Sequence, residues 1–225
     1  MKCYIIKTGV EYMPDDKYDE VKEIIRNLAA KYRNELSSQI DNRVDEMKSD
    51  DNSHYLIYRV LGITESEGQM IDVYQNKGRF LYKYAGSFLE EAAFACFKNK
   101  FPKAKKEKIK NTQGQRPKTF EIDCLNGKDA IEIKWRDATT DGDHITKEHT
   151  RIKAISSYGY IPIRVMFYYP NREQAIRIQE TLKTTYNGIG GKYYSGDQAW
   201  EYVKDKTEID LLKIIEELVN EYEGK

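Results

Sequence analysis

Cysteine is scarce in this 225-residue chain. Cys3, Cys96 and Cys124 stand far apart with no paired spacing. That argues against a disulfide framework and against a cysteine-built zinc site, and it fits a reducing cytoplasm. All three read as buried or half-buried thiols. Histidine is equally sparse, and His144 and His149, five apart, miss a common helical face, so a histidine metal site is not expected. No apolar run is long enough to cross a bilayer. The opening Met1 to Lys7 lacks the apolar core and small-residue cleavage site of a signal peptide, so the expectation is a cytoplasmic protein with no membrane partner. Net charge is absent as well. Lys plus Arg, at 37, equal Asp plus Glu, at 37, so bulk charge gives no support for nucleic-acid binding. There are no evident internal repeats, low-complexity tracts, or helicase or ATP motifs.

What is present is a globular composition, 40% apolar and 33% charged, in a chain long enough for one large domain or a core with a helical extension. Charge is unevenly spread. Between Lys98 and Lys118 nine basic residues face the single acid Glu107, a density suited either to neutralising phosphates or to a solvated loop.

Periodicity predicts a helix over Asp16–Lys48, where Tyr18, Val21, Ile24, Ile25 and Leu28 recur at helical spacing without a proline. A polar break over 49–53 precedes a second helical stretch from about His54 to Leu61. Gly62, Gly68 and Gly78 punctuate the next segment, and 64–84 has no clear pattern. Ser87 with Glu90 three residues later reads as a capping box opening a helix to about Asn99. Its wide apolar stripe (Leu89, Ala92, Ala93, Cys96, Phe97) suits packing on a sheet. Glu90 lies on the flank of that stripe, where a carboxylate is costly without a partner.

Two strands come next, Thr119–Cys124 and Ala130–Trp135, joined through Asn126-Gly127, a strong hairpin signal. A helix over about Ile145–Ser157 succeeds them. The nearly continuous apolar run from Ile161 to Tyr169 reads as a strand covered on both faces, with Pro162 at its start. Helices over about Arg172–Thr184, Asp197–Lys204 and Glu208–Tyr222 close the chain. This order describes an α/β sandwich around a central mixed sheet.

Strand alternation decides which side chains can meet. Glu121 and Asp123 share one face of the first strand, while Glu132 and Lys134 lie outside on the second. With Asn126-Gly127 as a two-residue turn, Ile122 opposes Ile131, Glu121 opposes Glu132, and Asp123 sits diagonally from Glu132. Clustered carboxylates repel. Lys134 offsets part of that repulsion, and a divalent metal would offset the rest. Magnesium, held by one or two carboxylates plus waters and a phosphate oxygen, suits such a shell. Lys134 beside it could orient an attacking water. The plain alternative is a solvent-facing hairpin with a weak cross-strand ion pair.

Asp123, eight intervening residues and then Glu132-Ile133-Lys134 resembles the PD-(D/E)xK nuclease motif, with Ile122 where the motif's loosely kept proline would stand. Acid-x-Lys also occurs at Glu20, Glu46 and Glu223. Only the copy at Glu132 combines a hairpin, a preceding amphipathic helix, and a subsequent helix and buried strand. Gly86 to Glu90 is similar to the superfamily helix whose glutamate approaches the metal site. The likeness covers about Gly86 to Tyr169. It implies a restriction-endonuclease-like fold with catalytic Asp123, Glu132, Lys134 and Glu90, and Mg2+ held by Asp123 and Glu132. Glu121 is the other candidate for the first ligand.

Size, helical extensions and the lack of ATP motifs most resemble a type II restriction endonuclease, cutting double-stranded DNA. The resemblance further implies a homodimer and a cognate DNA methyltransferase as genetic partner. DNA-contacting candidates lie just after the catalytic strand: Arg136, Asp137, Thr139, Thr140 and His144, with Lys147, Arg151 and Lys153 better suited to phosphates. One nuclease domain is expected over 1–225, with a mainly helical extension to residue 84 that could serve dimerisation or clamp DNA. The catalytic core then spans 85–170 and C-terminal helices 171–225. A junction-resolvase-like nuclease of the same fold and a non-catalytic DNA-binding module are the alternatives.

Overall fold

The computed structural model describes residues 16–114, 116–136 and 143–223, apart from the side chains of Asp16, Asp143 and His144. Helix α1 spans Asp16–Lys48, as its spacing predicts. A 3-10 turn over Asn52–His54 leads into the short α2 (Tyr55–Val60). Helix α3 then runs unbroken from Glu65 to Lys100.

That long helix corrects the sequence reading. The N-cap is Thr64, not Ser87: its hydroxyl accepts the Glu67 N–H, and the Glu67 carboxylate takes the Thr64 N–H in return. Ser87 is an interior residue. Gly68 is not punctuation and has a packing role instead. A Cβ there would come within 2.7 Å of Tyr58 and 2.9 Å of Tyr55, so glycine lets α2 lie against α3. The two long helices are antiparallel: Glu20 meets Asn99, Tyr32 meets Tyr84 and Phe88, and Arg43 meets Asn76. Because α3 crosses residue 84, the extension and the core share one continuous helix.

The sheet has five strands in the order β1-β2-β3-β4-β5. These are β1 (Lys105–Lys110), β2 (Thr119–Asn126), β3 (Asp129–Arg136), β4 (Ile161–Tyr168) and β5 (Lys192–Ser195). The first three are antiparallel, and β3, β4 and β5 run parallel. On one face, Cys124, Ile131, Ile133, Val165 and Phe167 pack against Ala92, Ala93, Cys96 and Phe97 of α3. The same core takes in Trp200 of α6 (Asp197–Thr207), Ile214 of α7 (Leu211–Glu223) and Val21 of α1. On the other face, α4 (Asp143–Ser157) covers Phe120, Ile122 and Ala130 through Ala154 and Ile155, and α5 (Glu173–Gly188) covers Met166 through Ile178 and Leu182. This is the expected α/β sandwich around a mixed sheet, with an N-terminal helical region.

The hairpin differs from expectation in register. Asn126 pairs with Asp129, so the turn is Gly127-Lys128, with Gly127 in the left-handed region at φ 59°. Cys124, not Ile122, opposes Ile131, and Glu121 pairs with Lys108 of β1 rather than with Glu132. A second irregularity explains the local geometry. Lys105 pairs with Leu125 but Glu107 pairs with Ile122, so β2 carries one extra residue there. The bulge switches facing within β2: Phe120, Ile122 and Leu125 pack toward α4, whereas Cys124 packs toward α3.

Candidate active site

Asp123 sits in that bulge. Pairing of β2 with β3 ends at Cys124–Ile131, and beyond it the Asp123 carboxylate fills the gap, its Oδ2 accepting the Ile133 N–H at 2.7 Å. The side chain is buried, 6% exposed. Glu132 lies on β3 one residue back, on the sheet face covered by α4, and is 3% exposed. The expectation that Glu132 faces outward is therefore corrected: α4 closes over it.

Lys134 joins the two acids. Its ammonium lies 2.5 Å from Glu132 Oε1 and 3.9 Å from Asp123 Oδ2. The close contact with Glu132 occupies Oε1 with the Lys134 charge. Glu90 reaches the edge of this group from α3 and takes a hydrogen bond from Lys106 of β1 at 2.7 Å. The partner that a flanking carboxylate needs is thus a lysine on a strand that the sequence pattern does not disclose.

Electrostatics separate the two central acids. Burial, then the charge of Glu132, pushes the Asp123 carboxyl up to about 7, against the pull of Lys134. Burial also opposes ionisation of Glu132, but the charges of Lys134 and Arg151 outweigh it and hold that carboxyl below the ordinary glutamate range. Lys134 is likewise kept charged against burial by Glu132 and Asp123.

Behind Glu132 stands a buried ionic layer. Arg151 of α4 donates to Glu132 Oε2 and to the Glu121 carbonyl at 3.3 Å, and its Nε lies 3.3 Å from Glu148 Oε1. Glu148 in turn accepts from Arg164 of β4 at 3.2 Å and from the Tyr186 hydroxyl at 3.3 Å. Arg164, 1% exposed, is the strand partner of Glu132.

The remaining expected residues divide. Arg136 ends β3 and stacks over Tyr82 and Trp135, with its guanidinium carbon 5.2 Å and 5.6 Å from the ring centroids. Lys147 and Lys153 are exposed on α4, while Arg151, expected to face phosphates, is engaged with Glu132 and Glu148. Asp137, Thr139 and Thr140 lie outside the described residues, as does the His144 side chain. Glu121 is exposed and faces Lys108, away from the acid pair. Glu148 and Arg164 are additions that sequence reasoning misses. Arg164 inside an otherwise apolar strand run is the available signal, because a guanidinium there demands a buried acid.

A family model described as ApaLI-like restriction endonuclease matches residues 11–220. The chain belongs to that family. No curated protein and no solved structure matches it. As an ApaLI-like restriction endonuclease the protein is a nuclease acting on double-stranded DNA, and its α/β sandwich is restriction-endonuclease-like.

The donor set can be compared with the metal the family implies. No group of three or more His, Cys, Asp or Glu side chains is placed to hold a metal among the described residues. Magnesium does not require one, since it is bound through one or two carboxylates plus waters and phosphate oxygens. Asp123 and Glu132 are hard oxygen donors, both buried and both facing Lys134. The residues present fit the ion.

Proposed function

We propose that this ApaLI-like enzyme hydrolyses phosphodiester bonds at specific sites in double-stranded DNA in a magnesium-dependent reaction centred on Asp123, Glu132 and Lys134. The observation that carries this reading is the pair of buried carboxylates spanned by one ammonium. Asp123 and Glu132 would hold the ion, whose chemistry is to acidify a water, polarise the phosphodiester and stabilise the leaving oxygen.

The chain's own groups have distinct tasks. The Ile133 N–H fixes one Asp123 oxygen, so the other is presented in a set direction. Arg151 anchors Glu132 Oε2 and Lys134 meets Oε1, so the carboxylate is held in one orientation. Lys134 orients the attacking water and balances charge accumulating on the phosphoryl oxygens. Glu90, held by Lys106, stands at the edge as an additional acid. Arg136, Lys147 and Lys153, with Asp137, Thr139, Thr140 and His144, form the stretch assigned to DNA contact.

One such centre per chain cuts one strand, so the reading includes a homodimer in the cytoplasm, with a methyltransferase protecting host DNA. The fold is taken as one nuclease unit over 1–225. The test is digestion of plasmid and phage DNA with and without magnesium, beside Lys134→Ala and Asp123→Asn. Discrete magnesium-dependent fragments, lost in both variants, support the assignment. Normal cutting by either variant, or no cutting by the wild type in magnesium or manganese, removes it. A monomer in sedimentation equilibrium would remove the dimer.

A further inference from the structure

The basic stretch from Lys98 to Lys118 resolves into side chains with different fates. Lys98 turns back on its own chain, donating to the carbonyls of Pro102 and Ala104. Lys100, Lys105 and Lys106 pair with Glu208, Glu107 and Glu90. Lys108 and Lys110 of β1 are exposed, and neither forms an ion pair with any described residue.

Strand geometry places them in a row. Ile109 packs with Phe120, Ile122, Ala154 and Ile155 beneath α4. Alternation therefore sends Lys106, Lys108 and Lys110 to the opposite face. Pairing with β2 is regular from Glu107 to Lys110; the irregularity falls at Lys106, and the contact with Glu90 of α3 places that side chain on the same face. Successive members lie about 7 Å apart, about twice the ~3.4 Å axial step between phosphates of one strand, so the row can meet separate phosphates. The row begins where Lys106 touches Glu90, at the margin of the acid cluster, and runs outward along the edge strand of the sheet. One acid is near: Glu121 is the strand partner of Lys108, but no ion pair joins them.

We propose that β1 is a phosphate track, on which Lys108 and Lys110 bind the DNA backbone a short distance from the scissile bond without reading bases. The proposal rests on the nuclease reading for its polyanion, but its test does not require cleavage. Lysines on an edge strand also discourage edge-to-edge pairing, so the experiment must separate the two roles.

The measurement is fluorescence-anisotropy binding of a short mixed-sequence DNA duplex across a potassium chloride series, in chelator, for the wild type and for Lys108→Gln/Lys110→Gln. Lys128→Gln, in the β2–β3 turn at the far end of β2, is the control. Each lost phosphate contact lowers the slope of log affinity against log salt by about 1. The double variant should therefore lose about 2 in slope and bind on the order of tenfold more weakly at low salt, with an unchanged melting temperature and an unaltered control. Cleavage, where present, should show a raised KM with kcat retained at saturating DNA. An unchanged slope overturns the track. Aggregation of the double variant with an unchanged slope assigns the lysines to edge protection and also overturns it. A lowered slope in a protein that cuts nothing would keep the track and discard the nuclease reading.

Discussion

The Asp123 carboxylate takes the place of a main-chain acceptor: its Oδ2 accepts the Ile133 N–H at 2.7 Å at the point where β2 stops pairing with β3. Asparagine can still present an oxygen to that N–H, and alanine cannot. Asp123→Asn should retain the fold, and losing one of the two central carboxylates should abolish cutting. Asp123→Ala should abolish cutting and also cost about 1–3 kcal/mol, because a buried donor loses its acceptor. Urea denaturation in chelator reads the difference. Equal stability of the two variants would mean that the hydrogen bond contributes nothing to the strand junction.

The same carboxyl makes the metal-free protein sensitive to pH. Glu132 and Lys134 face it from β3, Glu90 from α3, Lys106 from β1 and Arg151 from α4. With its folded value pushed up to about 7, and an unfolded aspartate at about 4, the folded state holds a proton that the unfolded chain has released. Stability from this group is therefore fully present below about pH 4 and is lost as pH rises through about 7, levelling off only above that. Melting temperatures in chelator across that range, wild type minus Asp123→Asn, should show a difference that shrinks for the wild type with rising pH. A flat difference would mean that Asp123 is ionised throughout.

Much of this site is legible in the sequence, and the failures have physical causes. The Asp123…Glu132-x-Lys134 spacing survives because alternation in β3 fixes Glu132 and Lys134 relative to each other, whatever the turn does. The register of β2 is not legible, because the turn falls at Gly127-Lys128 and the bulge at Asp123–Cys124 leaves no mark in composition. Strand β1, Lys-Lys-Glu-Lys-Ile-Lys, buries only Ile109, so an edge strand looks like a charged loop. Glycines make α3 look interrupted, although Gly68 is there for tyrosine packing. Arg151 shows the limit most plainly: a basic residue near a DNA site reads as a phosphate contact, and only tertiary structure places it on Glu132.

That placement predicts how Arg151 and Lys147 differ. Lys147, exposed on α4, should behave as a phosphate contact, so Lys147→Gln lowers the salt slope of DNA binding by about 1 and leaves stability unchanged. Arg151→Gln removes a charged hydrogen bond to a buried carboxylate. It should cost about 1–3 kcal/mol of stability, lower kcat and leave the salt slope at its wild-type value. If Arg151→Gln instead flattened the slope without lowering the melting temperature, Arg151 would face DNA and the contact with Glu132 would be incidental.

Glu148 and Arg164 set the firmest expectation for stability. Arg164 is 1% exposed and Glu148 3%, and their contact is closed by Tyr186 on α5 and Arg151 on α4, so both charges are buried away from bulk solvent. Removing one member of a buried pair strands the other charge, which costs about 3–5 kcal/mol, whereas replacing both by apolar residues of similar size is often neutral. Glu148→Ala should thus lower stability by about that much. Glu148→Gln, which keeps an acceptor for Arg164 and Tyr186, should lower it less. Arg164→Met/Glu148→Leu should recover most of the loss in denaturation while leaving Arg151 with one acid fewer, so stability returns and cutting does not. A double variant as unstable as Glu148→Ala would show that the layer is held by packing around Tyr186 rather than by the paired charges.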